Sequence, residues 1–129
     1  MATTPEGKVK AAVDNVGKQI PYLYAITPTT GGYGKSGHAD RVWCVPDKQG
    51  GMGFMVVVEV KAGRNQPTVL QKKRLKQALA AGAYAAVVNE QNLKQFAEWI
   101  AAIHDGRTEV EPCLLPDGYS LKYDNKVGL

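Results

Sequence analysis

The chain has 129 residues, 44% of them apolar, and a net charge of +4 from 16 basic and 12 acidic side chains. That length builds one ordinary domain and is too short for two, and the apolar content is too high for a disordered chain. No apolar run approaches the ~18 residues that span a bilayer, the first residues lack the basic-then-apolar order of a secretory leader, and two cysteines make no disulfide framework, so a reducing cytoplasm is expected.

Thr4-Pro5-Glu6 reads as a helix start: a capping hydroxyl, a proline at the first helical position and an acid in the first turn. Val9, Val13 and Val16 then mark one helix face, and Gly17 is expected to end the helix. A short strand is expected over residues 22–26, a Thr- and Gly-rich loop over 27–37, a strand over 39–45 and a turn region over 46–53. Residues 54–60, FMVVVEV, form the strongest strand. Their apolar side chains are continuous rather than alternating, which predicts burial on both faces and a central place in the sheet. After a loop at 62–66, a helix starting at Pro67 or Thr68 runs to about Ala81, with Leu75, Ala78 and Leu79 inward and Gly82 as its stop. A strand at 84–89 and an amphipathic helix at 91–103 follow, the latter carrying Leu93, Phe96, Ile100 and Ile103 in register. The order α-β-β-β-α-β-α predicts an α/β domain with a parallel strand-helix-strand crossover. Residues 104–129 carry no periodic signal and stay unassigned.

Charge is unevenly spread. Residues 1–89 hold 12 basic and five acidic side chains, and between Glu59 and Glu90 there is no acid, only Lys61, Arg64, Lys72, Lys73, Arg74 and Lys76. A patch of one sign attracts a polyanion, although a run of Lys and Arg is more often a solvated helix face.

Four polar positions interrupt the burial pattern. Glu6 precedes Val9 by three residues on the valine stripe, and Gln71 precedes Leu75 by four on the inner helix face. Glu59 and Lys61 alternate onto one face at the end of the central strand. Asp40 opens the strand before it. Each has an ordinary structural explanation alone: a charge at a helix N-terminus, a satisfied amide, a same-face ion pair, a turn residue. Together they suggest one shared polar site, because a charge on an inward face is costly unless it is paired or bound to a metal.

Asp40 followed 19 positions later by Glu59-Val60-Lys61 resembles the pattern of the PD-(D/E)xK nuclease superfamily. More closely, the chain resembles the VRR-NUC (virus-type replication-repair nuclease) family over roughly residues 5–90. The matching residues are Glu6, Gly37-His38-Ala39-Asp40, the strand ending in Glu59-Val60-Lys61, Gln71, and Gly82 with the strand after it. Ala39 departs from the pattern, which usually has proline before the acid.

The resemblance implies a restriction-endonuclease-like α-β-β-β-α-β core, with a mixed central sheet flanked by helices. It implies a single nuclease domain over 1–129 whose core spans about 4–103. The resemblance does not reach 104–129, an extension whose role the sequence leaves open, a dimerisation arm and a cover for a sheet edge being two readings. In such a nuclease, Asp40 and Glu59 would hold Mg²⁺ or Mn²⁺, to which two close carboxylates are suited as hard oxygen donors, with the Val60 carbonyl as a third ligand. Lys61 would orient the attacking water or stabilise charge on the phosphoryl oxygens. Gln71 would help place Lys61 and the water, and Glu6 would complete the acidic site or a second ion position. Lys35, Arg64, Lys72, Lys73, Arg74 and Lys76 would contact DNA phosphates, giving shape-directed binding.

The expected substrate is branched or four-way-junction DNA in replication, repair or recombination, cut by a homodimer in bacterial or phage-infected cytoplasm. The alternative is a nucleic-acid-binding module that keeps the fold and cuts nothing. A zinc site from His38, Cys44, His104 and Cys113 is disfavoured, since no pair has the spacing such sites use.

Overall fold

The computed structural model describes residues 4–29 and 38–123. In chain order the elements are α1 (Pro5–Lys18), β1 (Tyr24–Ile26), β2 (Arg41–Pro46), β3 (Gly53–Val60), α2 (Val69–Ala80), β4 (Tyr84–Val88), α3 (Leu93–His104) and β5 (Cys113–Leu114). The five strands lie side by side in sequence order, with β1–β2 and β2–β3 antiparallel and β3–β4 and β4–β5 parallel. The sheet is therefore mixed, and β3 is its middle strand, as the unbroken apolar run requires. Val56, Val58 and Val60 turn to one face and Val57 to the other, all buried. Each such burial contributes about 1.5–3 kcal/mol.

Helices cover both faces. On the first, Val9 and Val13 of α1 meet Phe96, Trp99, Ile100 and Ile103 of α3 over the even-numbered valines of β3. Trp43, Phe96, Trp99 and Tyr84 form an aromatic chain through this layer, with ring centroids 5.8–6.1 Å apart. On the second face Leu75 of α2 packs on Val57, Ala85 and Val87. Among the described residues no helix is long and apolar enough to cross a membrane.

Several boundaries differ from expectation for identifiable reasons. Gly17 does not end α1; it sits buried in the last turn, where a Cβ would stand 3.0 Å from Cζ2 of Trp43. Its role is close approach to the indole. Tyr22 has a φ of 64°, a left-handed backbone that cannot continue an extended strand, so β1 begins at Tyr24. Asn92 precedes α3 without capping it. Its side chain instead accepts from the Asn89 N–H and donates to the Val87 carbonyl, tying the end of β4 to the turn.

The unassigned C-terminal segment builds part of the fold. β5 pairs with β4, and Leu115, Tyr119 and Leu121 pack beside α2 on the second face. Residues 124–129 lie outside the described residues, as do Lys35 and most of the 27–37 loop.

Candidate active site

Strand register brings the two acids together. Arg41 faces Val58 across the antiparallel β2–β3 pair, so Asp40, just before β2, comes level with Glu59 on the same side of the sheet. The contact is direct: the Asp40 Oδ2 accepts the Val60 N–H at 2.7 Å. On the other side of β3 the Lys61 N–H donates to the Val88 carbonyl at 2.9 Å. Backbone groups of neighbouring strand residues point to opposite sides, so the Val60 carbonyl shares the Asp40 side with its own N–H. It is thus placed to join the two carboxylates.

Glu59 is the electrostatic centre of the cluster. Only 2% of it is exposed. Its pKa is pushed up to about 9, chiefly by burial, then by the Asp40 charge and by the hydrogen bond a protonated Glu59 makes to Asp40. Glu6 adds to the rise, and Lys61 opposes it. The Lys61 Nζ lies 3.6 Å from Glu59 Oε2, with most of its side chain buried. One ammonium does not offset burial beside another carboxylate, so without a further cation Glu59 holds a proton.

The sequence reading missed Lys10, which joins this group. One turn after Glu6, its Nζ stands 3.4 Å from Glu6 Oε2 and 3.5 Å from Asp40 Oδ1. Asp14, a further turn along, receives Arg41 in a two-pronged bond, Nε to Oδ1 at 2.7 Å and Nη2 to Oδ2 at 3.0 Å. Arg41 Nη1 also donates to the Asp40 carbonyl at 2.8 Å. This clamp raises the Arg41 pKa, first through its hydrogen bond to Asp14. It pins the start of β2, and with it Asp40, to α1. The signal was the i, i+4, i+8 stripe Glu6-Lys10-Asp14 beside the valine stripe. Glu6 itself is half-exposed at the rim of the core rather than turned into it.

Gln71 has a structural task. With Thr68 it forms a capping box: its Oε1 accepts the Thr68 N–H at 2.8 Å, while its own N–H donates to Thr68 Oγ1 at 3.2 Å. The loop that follows Lys61 is fastened from behind. Gly63 N–H donates to Glu90 Oε1 at 2.9 Å, and the Tyr119 hydroxyl reaches the Asn65 carbonyl at 3.1 Å.

The basic residues do not share one face. Lys72 donates to the Lys122 carbonyl at 3.4 Å and Lys76 lies 4.9 Å over the Tyr123 ring, so both point towards the C-terminal segment. Arg74 lies on the opposite side of α2, bonded to Gln77 and lining a groove next to the acids. Arg64 is exposed in the loop beyond Lys61.

The chain superposes on a solved structure titled "VRR_NUC domain" with a TM-score of 0.60 and 24% sequence identity, covering 78% of this chain and 97% of that one. The fold is that of a VRR_NUC domain. No family profile and no curated protein matches the sequence. The mixed five-stranded sheet flanked by helices agrees with the architecture the residues led us to expect.

Among the described residues no three His, Cys, Asp or Glu side chains converge as a ready-made metal cage. His104, one of the candidate zinc ligands, bonds through Nδ1 to the Pro46 carbonyl at 2.6 Å. The donors present fit a different ion. Mg²⁺ keeps several waters and is bound by one or two carboxylates, and the Asp40–Glu59 pair with the Val60 carbonyl is such a set. Burial and the neighbouring Asp40 and Glu6 carboxylates raise the Glu59 pKa, an effect that a bound cation would oppose.

Proposed function

We propose that the chain is a divalent-metal-dependent endodeoxyribonuclease that hydrolyses phosphodiester bonds in branched or junction DNA. The observation that carries this reading is the buried Glu59 carboxyl level with Asp40 and capped by the Lys61 ammonium at 3.6 Å. Asp40, Glu59 and the Val60 carbonyl would hold Mg²⁺ or Mn²⁺, with Glu6 at the rim completing the acidic site. The ion supplies a Lewis acid for the phosphate and lowers the pKa of a water.

The side chains do the rest. Asp40 is held in place by the Val60 N–H and by Lys10, and keeps its carboxylate facing Glu59. Lys61 presents its ammonium to the oxygens of the phosphate on which charge develops, or to the water that attacks phosphorus. The water oxygen bonds to phosphorus, the bond to one sugar oxygen breaks, and that oxygen leaves with a proton. Arg64 holds a neighbouring phosphate, and Lys35, Lys72, Lys73, Arg74 and Lys76 add to the field that attracts the strand. Gln71 shapes the start of α2 and so the approach to Lys61. A second copy of the chain would supply a second site for the opposite strand of a junction.

The test is incubation with flap, four-way junction, single-stranded and supercoiled DNA, each with Mg²⁺, Mn²⁺ or EDTA, beside size-exclusion chromatography. The expected result is nicking of branched DNA that requires the ion, by a protein eluting as a dimer. Binding of branched DNA without nicking in either ion would favour a non-catalytic module and overturn the proposal.

A further inference from the structure

A groove of about 340 Å³ is lined by Ala39, which precedes Asp40 in the chain, and by Val42 and Val57, the next pair along the same sheet face as the acids. On one face of the β2–β3 pair, Asp40 lies level with Glu59, then Val42 faces Val57, then Cys44 faces Met55. Successive rungs are about 6.7 Å apart along a strand. The groove is floored by Val42, Met55 and Val57, walled by Ala78 of α2, and has Arg74 and His38 at its lining. It therefore begins one rung from the acids. The packing of α2 on this face centres on Val57, Ala85 and Val87. Farther towards the β1 edge Tyr24, Ile26, Cys44 and Met55 are exposed on the same side, and Met55 is 52% accessible although it sits in the middle strand.

We infer that this groove receives an extruded nucleobase of the strand being cut, from a nucleotide that flanks the scissile phosphate. The inference rests on the nuclease reading, because the acids fix where the phosphate lies. A base attached to that phosphate or to its neighbour is within one rung of the groove. The cavity is at the lower end of ligand-pocket sizes, suited to a single ring system. Its floor is aliphatic, and the guanidinium of Arg74 and the imidazole of His38 are flat groups on which a base stacks. Few of the lining residues can read a base edge, so the groove accepts any base that is free to leave its stack. Extrusion is cheapest where pairing is already broken. The groove thus selects branched or single-stranded DNA over continuous duplex, and does so without sequence preference.

The experiment places 2-aminopurine, which brightens on unstacking, at each nucleotide flanking the mapped cut of a branched substrate, and adds the Lys61→Ala protein with Mg²⁺. Fluorescence is expected to rise several-fold over the free substrate at one of these positions, and Ala78→Phe in the same background is expected to abolish the rise. With Lys61 intact, Ala78→Phe should slow cleavage about tenfold, the scale of one lost base-stacking contact. A substrate abasic at that nucleotide should be cut equally by both proteins. If melting shows Ala78→Phe unfolded, Met55→Trp on the open floor takes its place. No brightening on a substrate that the wild type binds and cuts, or brightening that survives the filled groove, overturns the inference and leaves the nuclease reading standing. Absence of cleavage of any substrate by the wild type overturns both.

Discussion

Lys61→Ala is expected to lower the rate of phosphodiester cleavage by at least about 100-fold, the usual effect of removing one group that stabilises developing charge, and to leave the fold intact. Both halves follow from the neighbourhood of the ammonium. Its Nζ lies 3.6 Å from Glu59 Oε2, and in the proposed mechanism it would meet the phosphate that the acids hold. Its loss does not strand a buried anion, because Glu59, with its pKa near 9, carries a proton at neutral pH when no ion is bound. Asp40 is different. Asp40→Ala should stop cleavage as completely but also orphan the Val60 N–H, at a cost of about 1–3 kcal/mol. Asp40→Asn keeps an acceptor for that N–H and separates the two effects. Rates on a labelled junction, read beside thermal melts of each variant, check this. Wild-type turnover by either Lys61→Ala or Asp40→Asn would show that the reaction centre lies elsewhere.

Metal-free protein is expected to lose stability as the pH rises from about 5 to about 9, and Glu59→Gln is expected to flatten that slope. Glu59 has a folded-state pKa of about 9 against an ordinary value of 4.5. Between those values the folded chain retains a proton that the unfolded chain has released. The unfolded state therefore binds fewer protons, and stability falls with pH across the window. Below it both states are protonated and the penalty vanishes. A bound divalent cation replaces that proton, so Mg²⁺ or Mn²⁺ should raise the melting temperature, and more so at pH 8 than at pH 6. Melting curves in EDTA and in excess ion, over pH 5 to 9, supply the comparison. A wild-type slope equal to that of Glu59→Gln would remove the buried carboxyl from the account.

The parts of the site that sequence reveals are those set by strand geometry. A central strand buried on both faces appears as an unbroken apolar run, and Glu59 stands out as the charge within it. Alternation then places Lys61 on the same face, and the short β2–β3 connection brings Asp40 level with them. Lys10 and the Arg41–Asp14 clamp depend on how α1 docks against the sheet, which no local pattern states. Gln71 illustrates competition between two signals at one residue: Thr68-Val69-Leu70-Gln71 has the spacing of a capping box, and the cap is what its side chain makes. The C-terminal segment was illegible because β5 has only two residues, too few for any period, and its neighbours reach the core singly. Gly17 read as a stop because its real partner, Trp43, is 26 positions away and the need for a small residue arises only once they pack.

The most direct test of the cation site is a calorimetric titration of metal-free protein with Mn²⁺ at neutral pH, in two buffers of different protonation enthalpy. Wild-type protein should take up the ion and release a proton, and the Asp40→Asn, Glu59→Gln double variant should do neither while melting as a folded protein. Mn²⁺ uptake that is unchanged in the folded double variant, or absent from the wild type, would contradict the account.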